Sequence, residues 1–359
     1  QEGVQEVSNG SFSQEGSEEI TNGNFATDTD WTKESGVTIS DGKLNLLNTA
    51  NRTNTTQFNV TTIGKIYKVS YEVSNYIQGG FRILLGNTVL PTITSNGVYT
   101  DYVTATSSDY VIIQAFNGTL TTLSIDNVSV KEVGQDWILT SGASISNDKL
   151  NVNANAYDYF ARQLNVSTIG KTYKVSVDVE IQSGRIILYL ADTGAFEVID
   201  TSGSYTFYIV ADGTQIRFRA FDTAFIGSIT NISVKEVGQD WTLGDGWSIG
   251  DSEVNAVNAP FGSQLVDSAT LTASKKYSVS FVISNYIQGV VRVAVGNVFS
   301  SDVSADGSYT FTLTSANTNA FKVQARGGGS GTTLSIDNVS VIEITDDTNL
   351  PRINYEGFS

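Results

Sequence analysis

Tyr67, Val69, Tyr71 and Val73 alternate with Lys68, Ser70, Glu72 and Ser74. Apolar residues at every second position predict a strand with one buried face. The same phrasing returns at Tyr173, Val175, Val177 and Val179, and again at Tyr277, Val279, Phe281 and Ile283. A later strand turns Val111, Ile113 and Ala115 inward, then Ile216, Phe218 and Ala220, then Phe321, Val323 and Ala325. Glycine-bearing turn signals lie between these two strand types at Ser95-Asn96-Gly97, Thr201-Ser202-Gly203 and Ala305-Asp306-Gly307, each followed by an aromatic strand at Tyr99, Tyr205 and Tyr309. No extended segment carries a 3.6-residue period, so the chain reads as all-β.

The pattern is written three times. TTLSIDNVSV at Thr121 to Val130 recurs unchanged at Thr332 to Val341, with GSITNISV at Gly227 to Val234 between them, and KEVGQDW at Lys131 to Trp137 recurs at Lys235 to Trp241. From Trp31, Trp137 and Trp241 the periods are 137 − 31 = 106 and 241 − 137 = 104 residues. Solenoid repeats of about 20 to 50 residues cannot bury a core alone, whereas about 100 residues can. Each repeat is therefore a domain, and about eight short strands per repeat predict an antiparallel β-sandwich of the jelly-roll kind. The expected division is an N-terminal strap at 1–18, jelly-roll repeats at 19–136, 137–240 and 241–346, and an exit linker at 347–359. Two NGxF phrases open the chain, SNGSF at Ser8 to Phe12 and TNGNF at Thr21 to Phe25. One is expected to be the first strand of repeat one, the other the remnant of a preceding strand or module. The linkers Gly134-Gln135-Asp136 and Gly238-Gln239-Asp240 are short enough to predict a semi-rigid rod.

Composition removes several chemistries. With no Cys, His or Met, the chain has no Ser-His-Asp triad, no cysteine nucleophile and no Cys/His zinc site. A chain that starts at Gln1 without Met reads as a window of a longer one. No apolar run approaches the roughly 18 residues of a membrane span, so membrane insertion is not expected. The 37 acidic residues outweigh 21 basic ones, a formal net charge of −16, and such a field repels phosphate backbones, disfavouring nucleic acid as a partner.

An NGxF first strand, a Trp about six residues on, the YKVSYEV central strand and the IDNVSV closing strand together resemble carbohydrate-binding modules of the family 4/9 type, which are jelly rolls. Repeats one and three carry all the central and closing features; repeat two lacks NYIQ and the closing Asp. GSEEITNGNFATDTDW, the VKEVGQDW joints and DTNLPRINYEGFS are similar to segments of bacteriophage virion proteins, especially those of marine Bacteroidetes hosts. The resemblance implies an extracellular or virion setting, with host-surface glycan or polysaccharide and other virion proteins as partners. It also implies a structural Ca²⁺ near Asp126 and Asp337, although Ala26 and Thr230 depart from the family's ligand pattern.

Ligand-facing candidates follow from the alternation. If Val111, Ile113 and Ala115 face inward, Ile112, Gln114 and Phe116 face out, with Arg217, Arg219 and Phe221 in repeat two and Lys322, Gln324 and Arg326 in repeat three. Planar rings stack on pyranose faces while amides and guanidinium groups bind hydroxyls. Tyr76, Gln78 and Arg82, with Tyr286, Gln288 and Arg292, are expected to line the same groove. The alternative for each is an ordinary solvated sheet residue, or for Tyr76 and Tyr286 packing at a strand end. The carboxylates Glu72 and Asp178 align on an exposed strand face, but Val282 takes that place in repeat three. The expected function is that of a non-enzymatic phage fibre or adhesin segment engaging glycans, with no cofactor beyond Ca²⁺ and with homo-oligomerisation through sheet edges or segments outside this sequence. The alternatives are the carbohydrate-binding region of a secreted polysaccharide-degrading enzyme, and a purely structural spacer or filament subunit.

Overall fold

A computed structural model describes residues 2–107, 109–118, 120–140, 142–190, 194, 196–250 and 253–345. The exit linker at 347–359 lies outside the described residues. All named elements are strands, ten in each repeat and two more at the N-terminus, against the eight per repeat expected from sequence. The difference is a set of two- to four-residue edge strands such as Thr32–Lys33 and Thr88–Val89, too short to show alternation.

Each repeat is a two-layer antiparallel sandwich. In module one, the first sheet runs in the order Gly97–Thr104, Ile66–Gln78, Thr121–Val133, Lys43–Thr49, Val37–Ser40, and the second in the order Thr32–Lys33, Asn54–Phe58, Tyr110–Phe116, Gly80–Leu85, Thr88–Val89. Modules two and three repeat both orders. The period-two apolar residues meet between the layers: Tyr67, Val69, Tyr71 and Val73 from one sheet and Val111, Ile113 and Ala115 from the other belong to one buried cluster. Their counterparts fill the cores of the other two modules. The chain is thus three tandem β-sandwiches, as its alternation predicts.

The N-terminus departs from the expected division. Gln1 to Ser13 and Gln14 to Ala26 are two copies of one 13-residue phrase, QEGVQEVSNGSFS and QEGSEEITNGNFA. They dock on different modules. The second pairs with the closing strand of module one, Glu15 opposite Val133 and Glu18 opposite Lys131. The first skips module one and pairs with the closing strand of module two, Glu2 opposite Val237 and Gln5 opposite Lys235. SNGSF is therefore not the remnant of a preceding module; it belongs to a strap that completes module two. The physical reason lies at the joints. Only Gly134-Gln135-Asp136 separates module one from Trp137, leaving no residues there for a first strand, so the strand that seals module two comes from the chain's start.

Both straps are held by the same contacts. Trp31 Nε1 donates to Asn22 O and Trp137 Nε1 to Asn9 O, each at 3.2 Å. Phe25 and Phe12 pack against those indoles with ring centroids 5.5 and 5.2 Å apart. Gln57 clasps Thr21 by accepting from its N–H and donating to its C=O, and Gln163 clasps Ser8 in the same way. Glu15 bridges Lys68 and Lys131, while Glu2 bridges Lys174 and Lys235.

The joints are tight turns. Trp137 N–H donates to Gly134 O and Trp241 N–H to Gly238 O. Gly134 and Gly238 take φ of 71° and 70°, and a Cβ at either would lie 2.2 or 2.0 Å from the δ-methyl of Ile145 or Ile249 in the following module. Ile66 and Tyr102 of module one also pack on the core of module two. Together with the straps, these contacts limit bending between neighbours.

Candidate functional site

The outward row of each five-stranded sheet is where the alternation put ligand-facing residues, and the structure places them there. In module one, Arg82 Nε donates to Gln114 Oε1 at 2.9 Å, and Gln114 Nε2 donates to Asn54 Oδ1 at 2.9 Å. The Arg82 guanidinium lies over the Phe116 ring, 3.8 Å from its centroid. Module three rebuilds this unit with a different ring: Arg292 donates twice to Gln324 Oε1, at 2.9 and 2.6 Å, and lies 3.6 Å over Phe299. Burial, then the nearby Arg326, lowers the pKa of Arg292, but a guanidinium remains charged at neutral pH. Arg326 itself lies over the exposed Phe261 at 5.0 Å, and Lys322 faces Phe299 at 5.6 Å.

Module two differs. Arg217 and Arg219, two residues apart on one strand and hence on one face, stand among three tyrosines: Arg217 is 4.8 Å from the Tyr159 ring and 4.9 Å from Tyr189, and Arg219 is 5.5 and 5.6 Å from the same rings. Tyr157 lies 5.8 Å from Arg219. Tyr189, itself buried, touches Tyr159 at 6.0 Å and Phe196 at 5.6 Å. Tyr157, Tyr159 and Phe196 are 60%, 41% and 47% exposed. Burial, opposed by Arg219, raises the pKa of the Tyr189 phenol. Phe221 sits beside this cluster under Arg185, 4.6 Å from the guanidinium, and Arg185 is ion-paired to Asp222.

Other expected residues fall elsewhere. Tyr76, Gln78, Tyr286 and Gln288 lie on the long central strands of the other sheet and do not join the row formed by Arg82 or Arg292. Tyr76 and Tyr286 pack on the cores of their modules and donate from their hydroxyls to Gly79 O and Gly289 O, each at 3.0 Å. Gln78 and Gln288 reach Asn48 and Asn258. The central strand continues past the sandwich core before turning at glycine, which moves these residues off the groove. Asp126 and Asp337 each accept the N–H of the next residue, Asn127 or Asn338, at 2.6 Å. Those asparagines take φ of 50° and 52°, at a bulge where the register shifts against the central strand. No group of three or more acidic, His or Cys side chains suited to a metal occurs among the described residues.

Sequence reasoning missed Tyr157, Tyr159, Tyr189 and Phe196. Tyr159 escaped because its strand Tyr159–Leu164, which pairs Tyr159 with Arg219, does not alternate: the register shifts between Tyr159 and Ala161, and Phe160 and Ala161 are both buried. Tyr189 lies in Ile186–Tyr189, which is buried throughout and has no polar face in its sequence.

The site is thus an aromatic–arginine face on a tandem β-sandwich. No family model and no curated protein matches the sequence. Among solved structures, the N-terminal CBM22-1-CBM22-2 tandem domain of Paenibacillus barcinonensis Xyn10C is 9% identical with a TM-score of 0.26, over 63% of this chain and 98% of that one. A triple jelly-roll protein of an archaeal virus is 12% identical with a TM-score of 0.18, over 88% and 89%. A Paenibacillus xanthan lyase is 14% identical with a TM-score of 0.22, over 84% of this chain and 35% of that one. Likeness at this level has no bearing on ligand or mechanism, and the fold assignment rests on the strand pairing above.

Proposed function

We propose that this chain is a non-enzymatic, glycan-engaging arm of a phage fibre or other extracellular adhesin, with its principal binding face on module two. The observation that carries this reading is the set of exposed rings of Tyr157, Tyr159 and Phe196 beside Arg217 and Arg219. Flat rings offer stacking surfaces to pyranose rings, and two guanidinium groups bind carboxylate or sulfate substituents in fork geometry. In a chain of net charge −16, a face that gathers two arginines among tyrosines favours an acidic polysaccharide over a neutral one. Modules one and three carry an arginine bonded to a glutamine with a single phenylalanine ring beside that pair, suiting secondary sites. Tethered weak sites rebind at about millimolar effective concentration.

Affinity electrophoresis of the whole chain through a panel of neutral and acidic bacterial and algal polysaccharides tests this. Retardation by an acidic glycan is expected, weakened at least about tenfold, or roughly 1.4 kcal/mol, by Tyr159→Ala with Arg219→Ala. Gln114→Ala with Phe116→Ala is expected to cost less. Chelator is expected to change nothing, since Asp126 and Asp337 each commit a carboxylate oxygen to the N–H of the following asparagine. Absence of retardation by every glycan, with the fold intact, would overturn the reading in favour of a spacer.

A further inference from the structure

We propose that module three is the receptor for a third strap: an extended segment of the NGxF type, running so that its C-terminal end leads into Gln1 and carrying an apolar residue where the other straps carry their lysine-bound glutamate. Modules one and two each use the closing strand twice along one edge. In module one the first half, Thr121 to Ile125, pairs with Lys43–Thr49, and the second half, Lys131 to Val133, pairs with the strap. In module three the first half pairs with Glu253–Ala259, and beyond Ile336 no strand joins that edge among the described residues.

The side chains beneath record the same difference. Val128 and Val130, covered by the strap in module one, are 4% and 0% exposed, and Ile232 and Val234 in module two are 2% and 0%. Their counterparts Val339 and Val341 are only half-buried, as are Trp241 and Val254, which replace the buried Trp31 and Leu44. Val339, Trp241 and Val254 border a cleft of about 340 Å³ between modules two and three that also takes in Leu265, Asn338 and Glu2. An apolar sheet edge of this kind invites strand addition.

The direction and attachment follow from the straps already in place. They dock in reverse order of the modules, the first copy on module two and the second on module one. Gly16 passes the side-chain amide of Gln135 at the first joint, and Gly3 passes that of Gln239 at the second. Glu2 therefore stands opposite Val237 at the second joint where Glu15 stands opposite Val133 at the first, and a further segment ahead of it in the chain would enter the cleft antiparallel to the closing strand. The chemistry follows from two replacements. Lys68 and Lys131, which hold Glu15, correspond to Lys174 and Lys235 in module two but to the paired Ser278 and Ile342 in module three. Ile342 is 63% exposed, so the third strap meets an apolar side chain there. The clasping Gln57 and Gln163 become Asp267, which lies opposite Trp241; the Asp267 Oδ1 accepts the Ala269 N–H, and its carboxylate can accept a strap N–H but donate nothing back.

The test extends the full chain before Gln1 by one more copy of the 13-residue strap, with Val in place of its glutamate, and reads amide hydrogen exchange. Protection at Val339 and Val341 is expected to rise at least about tenfold, matching Val128, whose N–H donates to Gly23 O; an extension with its NGxF phrase scrambled should leave both unprotected. Equal exchange in the two extended chains would overturn the proposal. So would protection in the unextended chain that is lost when 346–359 is removed, or that rises with protein concentration alongside dimer formation. Those outcomes would name the C-terminal tail or a second copy as the occupant.

Discussion

Gly10 and Gly23 show how closely single residues set the strap's position. A Cβ at either would lie 2.0 Å from the carbonyl oxygen of Ile232 or Val128, whose N–H donates to the same glycine's C=O. Substitution must push strap and closing strand apart. Gly10→Ala is expected to cost about 1–3 kcal/mol, the usual range for overpacking, and to speed exchange of the Ile232 amide while leaving Val128 unchanged. Phe12, 1% exposed against Trp137, is the strap's anchor, and Phe12→Ala is expected to remove about 3–5 kcal/mol from module two, read in a chemical melt followed by tryptophan fluorescence. The NGxF phrase was legible as a unit because Asn9 and Asn22 take φ of 47° and 50°, a conformation asparagine tolerates better than most residues. The same reading placed Tyr76 in the groove, because a tyrosine at a strand end looks alike whether it packs inward or waits for a ligand.

At the scale of the element, each strap is a short edge strand fixed by its ends, by an aromatic pair at one and a carboxylate between two lysines at the other. Hydrogen bonds from Lys68 and then Lys131 hold the Glu15 pKa below its ordinary 4.5, and Lys174 and Lys235 do the same for Glu2. A carboxylate depressed on folding contributes stability that is fully present above 4.5 and is lost as pH falls through the lower folded value. Acid should therefore loosen the straps first. Comparing melts at about pH 7 and about pH 3, the gap between the native chain and Glu15→Gln is expected to close at the lower pH. Strand partners were the part of the fold that sequence could not supply. Alternation says which face of a strand is buried, but an edge strand's partner is set by tertiary space, and both straps carry the same pattern. The clue was an absence of room: no residues before Trp137 could serve as a first strand, and one NGxF phrase was to spare.

For the whole molecule, the straps lace modules one and two, the N-terminal residues running back from module two to module one before the first module begins. The repeat count, the all-β class and the short joints could be read directly, because they depend on period and local turn chemistry. The principal face could be read only in part, since Arg217 and Arg219 were visible by alternation while Tyr189 reaches them from a strand buried throughout and Phe196 packs on Tyr189 from a four-residue edge strand. An array laced in this way would hold the module-two face at a fixed distance from its neighbours, as multivalent capture of a long polysaccharide requires. The lacing itself is tested most directly by deleting residues 1–13 and following amide exchange module by module. Protection is expected to collapse around Ile232 and Val234 of module two while Val128 and Val130 of module one keep theirs. Loss of protection in module one instead, or equal loss across all three modules, would contradict it.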